Sequence, residues 1–262
     1  PAPGGAPPRL CSASKDGLVK VWDTALQECV HTLTGHQGEV WALAVDPPGG
    51  HLVTGGQDPS LRLWSLNSKG APALLGTVPK AGRARVATLR FVGGGRHLLC
   101  HTADKGVQLF RVRPHDEALH KMRRRLKRKR EAEDADATST TAAEGGGGEP
   151  HEANHPSAAD VLEAVNVLTA SAKIRAVSAL PPQANAPPGA PLKVLCALSN
   201  NALEVWNVPM RRPEQPSAAS LFSAPAHRGD VRCVALSEEE GLAVACAGEE
   251  LKVWSVGGGQ CV

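Results

Sequence analysis

The residues whose types and spacing could do chemistry are concentrated in one stretch, 114–158. His151-Glu152-Ala153-Asn154-His155 spells HExxH, in which two histidines one helical turn apart hold zinc and the glutamate acts as general base. That chemistry requires both imidazoles on one helix face. Here Pro150 and Pro156 bracket the motif and Gly145–Gly148 precede it, and a proline at 156 disfavours the helical conformation at His155. No zinc site is expected. Upstream, eight of the ten residues 121–130 are cationic: Lys121, Arg123, Arg124, Arg125, Lys127, Arg128, Lys129 and Arg130. Such a block binds polyanions by releasing their condensed counterions, or acts as a nuclear-targeting signal. Nine acids in the same stretch offset it, so the alternative is a solvated helical connector with paired charges. A charged helix is expected, running into a Thr/Ala/Gly-rich tract with no apolar period and hence disordered.

Outside this stretch, reactive groups are scattered. The chain has no GxxxxGK[ST], GxSxG or GxGxxG pattern, and Gly93-Gly94-Gly95 falls in a turn between strands, with no helix after it to cradle phosphate. Seven cysteines include no CxxC pair. Cys11, Cys100, Cys196 and Cys246 lie in apolar runs, where a thiol behaves as a small hydrophobe, so buried thiols in a reducing compartment are expected. No catalytic residue, metal ligand, cofactor or small-molecule substrate is therefore expected. The absence of any 18-residue apolar run gives no helical membrane span. The formal net charge, +3, argues neither for nor against a nucleic-acid partner.

What must position these groups is a repeat. LCSASKDGLVKVWD (10–23) aligns without a gap on LVTGGQDPSLRLWS (52–65) and on LLCHTADKGVQLFR (98–111), and shortened copies end at Trp206 and Trp254. Each copy reads as an apolar strand, a polar turn centred on Asp16, Asp58 or Asp104, and an alternating strand. A further strand precedes the hairpin, as in EVWALAV (39–45), and another follows it, as in CVHTLTG (29–35). Four short antiparallel strands per copy make a blade, and Gly 27 with Pro 21 supplies the turns. The expected fold is all-β: a β-propeller arc of about five blades, with blades one to three in 1–113, the insert in 114–158, and blades four and five in 159–262. Five blades leave open edges, so the sequence reads as part of a larger array. Trp22, Trp41, Trp64, Trp206 and Trp254 are expected in blade cores rather than as base-stacking platforms, Trp41 being the least clear of them.

TGH at 34–36, the turn aspartates and VWD at 21–23 resemble the WD-repeat family. There, a His before the first strand, the turn Asp, a Ser/Thr and the Trp form a hydrogen-bonded network within one blade. The resemblance implies His36, Asp58 and Trp64 in the second copy, with Gly56 where the Ser/Thr would be, and Ser14, Asp16 and Trp22 in the first. TASAKIRAV (169–177) and HRGDVRCVALS (227–237), ordered around the basic insert, are more specific. They resemble the U3 small nucleolar RNA-associated protein 12 family, over about 10–262. This implies a non-catalytic scaffold of the small-subunit processome, in the nucleus and nucleolus, whose partners are other WD-repeat processome proteins and the U3 small nucleolar RNA/pre-rRNA particle. A WD-repeat adaptor of another assembly, such as a ubiquitin-ligase receptor or signalling scaffold, is the alternative.

Overall fold

A computed structural model describes residues 9–48, 50–66, 71–137, 155–180, 190–210, 216–222, 229, 231–237, 242–248, 250–255 and 260–261. Residues 151–154 of the HExxH motif and the Thr/Ala/Gly-rich tract from 138 onward lie outside the described residues.

The first sheet is β1 (Arg9–Ala13), β2 (Val19–Asp23) and β3 (Glu28–Leu33). The second is β4 (Val40–Val45), β5 (His51–Gly56), β6 (Ser60–Ser65) and β7 (Ala73–Pro79). The third begins with β8 (Val86–Val92), β9 (His97–Thr102) and β10 (Gly106–Val112). The chain then forms helix α1 (His115–Ala137) and the single turn α2 (Ala158–Val161) before β11 (Leu162–Thr169) completes that sheet. The fourth is β12 (Ile174–Leu180), β13 (Leu192–Leu198), β14 (Leu203–Val208) and β15 (Ser217–Phe222). The fifth is β16 (Cys233–Leu236), β17 (Leu242–Ala247), β18 (Glu250–Ser255) and β19 (Gln260–Cys261). Every neighbouring pair is antiparallel and sequential, as short hairpins require.

The placement of β11 corrects the expected boundary. The insert does not separate blades three and four; it lies inside blade three, between its third and fourth strands, and Val112 and Leu162 at its two ends are paired across the ladder. Reading 159–262 as blades four and five alone therefore assigned blade three's outer strand to its neighbour.

Strand alternation explains how the blades stack. In β2, Val19 and Val21 are buried while Lys20 and Trp22 face the other side. One face of each blade is covered by the next: Val19 and Val21 meet Leu52 and Trp64 of blade two, and Leu61 and Leu63 meet Leu98 and Phe110 of blade three. Leu99 and Val107 meet Ile174 and Val194 of blade four, and Leu195 and Leu203 meet Ala245 and Trp254 of blade five. Val19, Leu61, Val107 and Leu203 hold equivalent places and are 0%, 0%, 3% and 0% exposed, whereas Leu251, in that place in blade five, is 65% exposed. Covering one such side chain is worth about 1.5–3 kcal/mol.

A bulge recurs just before the aromatic residue of the third strand, at Val21/Trp22, Leu63/Trp64, Leu109/Phe110 and Val205/Trp206, and re-aims the ring. The turns between second and third strands are fixed by their aspartates. Asp16 Oδ1 accepts the Leu18 N–H at 2.9 Å, and Asp104 Oδ1 accepts the Gly106 N–H at 2.9 Å and the Thr102 hydroxyl at 2.5 Å. Gly17 follows Asp16 with φ +83°, a conformation a side chain would strain.

Blade packing also carries a pH dependence. His101 lies on the face of blade three that blade four covers and is 2% exposed. Burial pushes its imidazole down to about 4, against the Ile174 backbone and the Asp104 carboxylate, which favour the cation. His36 and His97 shift the same way, also through burial. A group depressed in the folded state leaves stability intact above its unfolded value and removes it as pH falls below about 6.5. Between pH 7 and pH 5, His101 alone should cost about 2 kcal/mol. Urea midpoints at both pH values should show the fall, and His101→Gln should shrink it; an unchanged fall would mean that His101 is already charged at pH 7.

Candidate interaction sites: a hydrogen-bonded blade network and a basic helix

In blade two, four side chains make one chain of hydrogen bonds. Trp64 Nε1 donates to Thr54 Oγ1 at 3.0 Å, Thr54 Oγ1 lies 2.8 Å from His36 Nε2, and His36 Nδ1 lies 2.7 Å from Asp58 Oδ2. Because the Asp58 carboxylate can only accept, Nδ1–H donates to it, and in the neutral ring Nε2 then accepts the Thr54 hydroxyl hydrogen. Burial holds the His36 ring below the ordinary imidazole value despite Asp58, consistent with a neutral ring. Asp58 also accepts the Gln37 N–H at 3.3 Å and pairs with Arg62 at 3.5 Å. The relay's side chains are paired with one another within the blade, an arrangement that fixes the turn geometry.

Thr54, rather than position 56, supplies the hydroxyl. A Cβ at Gly56 would collide with the Glu39 carbonyl oxygen, so no Ser or Thr fits there. The same offset holds in blade one: Trp22 Nε1 donates to Ser12 Oγ at 2.9 Å, while Ser14, the expected partner, accepts the Asp16 N–H at 3.4 Å. Blade three has Cys100 and Phe110 at these two places and loses donor and acceptor together; burial pushes the Cys100 thiol up to about 12. In blade four Cys196 takes the hydroxyl's place, and Trp206 Nε1 turns instead to Glu204 Oε2 at 2.9 Å. The other oxygen of the buried Glu204 accepts the Ser171 hydroxyl. Sequence reading missed Thr54, Ser12 and Glu204; the marker for the first two is a hydroxyl ten residues before the Trp.

Trp41 is the extra residue of a bulge between Val40 and Ala42. It is half-buried, Lys15 Nζ stands 4.6 Å and the Arg85 guanidinium 3.8 Å from its ring centroid, and its indole N–H donates to Glu39 at 2.9 Å. The protein's own cations thus already engage the ring.

The basic block divides in two. Acidic residues Asp116 and Glu117 start α1, favourable at the positive end of the helix dipole. Ala118 and Met122, one turn apart, are buried against the blade. Glu117 receives a bidentate pair from Arg111 at 3.0 and 2.7 Å, and Arg113 reaches Glu163 at 2.8 Å. Lys121 Nζ donates to the Ala159 carbonyl at 2.8 Å, and Arg125 Nη2 donates to Asp160 Oδ2 at 2.9 Å. Asp160 is fully buried and also accepts the Ser157 N–H at 3.1 Å and hydroxyl at 2.7 Å, so one carboxylate ties α2 to α1. Lys121 and Arg125 are thus docking residues, while Lys127 pairs with Glu131 at 3.7 Å. Arg123, Arg124 and Arg128 are exposed with no hydrogen-bond or ion-pair partner among the described residues. Lys129 and Arg130, also exposed, have other interactions. Arg124 and Arg128, with Arg113, Glu117, His120, Lys121 and Arg125, line a cleft of about 570 Å³. The expected arm is therefore a helix whose first half is fastened to the blade and whose cationic edge faces outward.

Among the described residues no cluster of three or more His, Cys, Asp or Glu side chains is placed to hold a metal ion, and no helix is long and apolar enough to cross a membrane.

Residues 6–23 and 27–65 match the WD domain, G-beta repeat family, and the successive antiparallel sheets with their Asp-centred turns and His–Thr–Trp relay are consistent with WD β-propeller blades. The chain is homologous to two much longer proteins. It is 26% identical over 264 residues to U3 small nucleolar RNA-associated protein 12 of Saccharomyces cerevisiae, covering 97% of this chain and 26% of that protein. It is 34% identical over 189 residues to human WD repeat-containing protein 3, covering 71% of this chain and 19% of that protein. Eukaryotic translation initiation factor 3 subunit I of Culex quinquefasciatus is 38% identical over 84 residues, covering 32% of this chain and 25% of that protein. The chain thus spans about a quarter or less of the length of these relatives.

Proposed function

We propose that this chain is a non-catalytic scaffold segment of the small-subunit processome, acting in U3 small nucleolar ribonucleoprotein-dependent processing of pre-18S rRNA and in small-subunit biogenesis. The observation that carries this reading is similarity to a U3 small nucleolar RNA-associated protein along 97% of the chain, insert included. Its location is then the nucleus and nucleolus, and its partners are other WD-repeat processome proteins and the U3/pre-rRNA particle. The blades hold surfaces rigidly in space, and α1, fastened at Lys121 and Arg125, presents Arg123, Arg124 and Arg128 to the phosphate backbone or to the import machinery.

Binding of the chain to a pre-18S transcript across a salt series tests the RNA contact. Replacing Arg123, Arg124 and Arg128 with Gln should lower the slope of log K against log salt by about 2–3, the share of three phosphate contacts. An unchanged slope overturns the RNA role. A reporter fused to 114–135 should accumulate in the nucleolus, and diffuse cytoplasmic signal would count against nuclear targeting by this segment.

A further inference from the structure

A second cationic surface lies away from α1. The turns between second and third strands and the loops that lead into first strands share one end of the blades. Backbone hydrogen bonds join them from blade to blade: the Val40 N–H donates to the Ser14 carbonyl at 3.2 Å, and the Ile174 N–H to the Asp104 carbonyl at 2.9 Å. Equivalent bonds run inside blades two, three and four, from the N–H groups of Gln57, Ala103 and Ser199 to the carbonyls of Glu39, Arg85 and Lys173. Those last three therefore hold the same place in successive blades. Two positions further on, each first strand carries the extra residue of a bulge: Trp41, Ala87 or Arg175. The insert leaves from the opposite end, since β10 runs from Gly106 to Val112, a length of about 20 Å.

At this end the acids are engaged and the cations are exposed. Asp16 accepts the Leu18 N–H, Asp58 takes His36 and Arg62, and Asp104 takes the Thr102 hydroxyl and the Gly106 N–H. Glu39 accepts the Trp41 indole N–H, and Glu204 accepts from Ser171 and Trp206. Lys15, Arg83, Arg85, Lys105, Lys173 and Arg175, on blades one, three and four, are all exposed. Among the described residues, Lys15, Arg83, Arg85 and Lys173 form no ion pair with a carboxylate. Lys15 of blade one and Arg85 of blade three meet at Trp41 of blade two, so charges from neighbouring blades are gathered rather than scattered. These side chains stand on the rim of the blades and not on the faces that blades cover, so stacking of a further blade leaves them open.

We propose that this rim is a docking surface for an acidic polypeptide, an extended segment whose spaced Asp and Glu side chains meet the exposed cations of blades three and four. Complementary charge fixes the register of such a partner and speeds its encounter. A nucleic acid suits the rim less well. Base stacking would have to compete with Lys15 and Arg85 for the Trp41 ring. The carboxylates of Asp16, Glu39, Asp58 and Asp104, interleaved with the cations, also repel a continuous row of phosphates, whereas a peptide can set its backbone N–H groups and uncharged residues against them. The surface is separate from the α1 arm, and its partner is defined by charge alone, so the proposal stands or falls independently of the processome reading.

Fluorescence anisotropy with a labelled Glu/Ser/Gly peptide and with labelled poly(U) compares the two ligand classes on the same chain. Replacing Arg83, Arg85 and Lys173 together with Gln should weaken the peptide about ten-fold, as three exposed pairs of modest strength combine to give. All three side chains are exposed, so the circular dichroism of this variant should match that of the wild-type chain. Lys173→Glu alone should weaken the peptide in the same direction. Replacing Arg123, Arg124 and Arg128 with Gln, at the other end of the blade, should act mainly on poly(U) and weaken the peptide less than the rim variant does. Failure of the peptide to bind, or binding that survives the rim substitutions, overturns the proposal. A greater loss of poly(U) than of peptide in the rim variant overturns it too, and makes the surface a nucleic-acid contact.

Discussion

Replacing Thr54 with valine should lower the unfolding free energy by about 2–4 kcal/mol, because two buried groups lose their partner at once. Valine keeps the shape but leaves the Trp64 N–H and His36 Nε2 facing hydrocarbon in a fully buried site. For a chain of this size that corresponds to a fall in melting temperature of about 5–15 °C. Thr54→Ser keeps the hydroxyl and should cost only about 1 kcal/mol for the lost methyl. Thermal and urea denaturation of both variants give the comparison, and equal losses would mean that the relay contributes nothing beyond packing. Gly56→Ser should destabilise as well, since its Cβ meets the Glu39 carbonyl rather than reaching the relay.

The second large effect concerns Asp160. Removing its carboxylate in Asp160→Ala breaks the contacts to Ser157 and to Arg125 together, at a cost of about 2–3 kcal/mol after discounting the half-exposed arginine. Because those contacts join α2 to α1, the loss should appear mainly as release of the helix. Trypsin is a direct probe, as its sites include Lys121 and Arg125, both engaged in the wild-type chain. Each 1.4 kcal/mol of lost docking energy raises the open population about ten-fold, so cleavage at these sites should accelerate by ten-fold or more. Cleavage at the wild-type rate would show that Ala118 and Met122 alone hold the helix in place.

Much of the architecture is written in local pattern. The gapless alignment of the first three copies, with an Asp six residues before each aromatic, gives the hairpins, and period-two alternation gives the buried face. The relay was harder to read because Thr54 and Gly56 lie on the same face of one strand, so alternation cannot separate them. Only cross-strand register does so: Trp64 opposes Leu52, and its diagonal neighbour two residues on is Thr54. In blade four the register is the same but the chemistry differs, with Cys196 at the diagonal place, and no repeat pattern points to Glu204 as the substitute acceptor. The outer strand of blade three escaped for another reason. Its ladder partner in the sequence lies across the whole insert, and an isolated LEAVNVLT carries no mark of the sheet it joins. For the basic block, composition shows the cations and no more. Which of them are consumed in docking depends on Asp160 and the Ala159 carbonyl, residues distant in sequence.

The pairing of Val112 with Leu162 makes the insert a closed handle on blade three, leaving and re-entering at adjacent points of one ladder. The entropy of closing a flexible loop rises only with the logarithm of its length, by about 0.6 kcal/mol per doubling. Once that junction is formed, segments can be lengthened, shortened or recharged beyond the docked half of α1 with little effect on the blades. Blade three therefore serves as a port, its contacts with the neighbouring blades separable from whatever the handle carries.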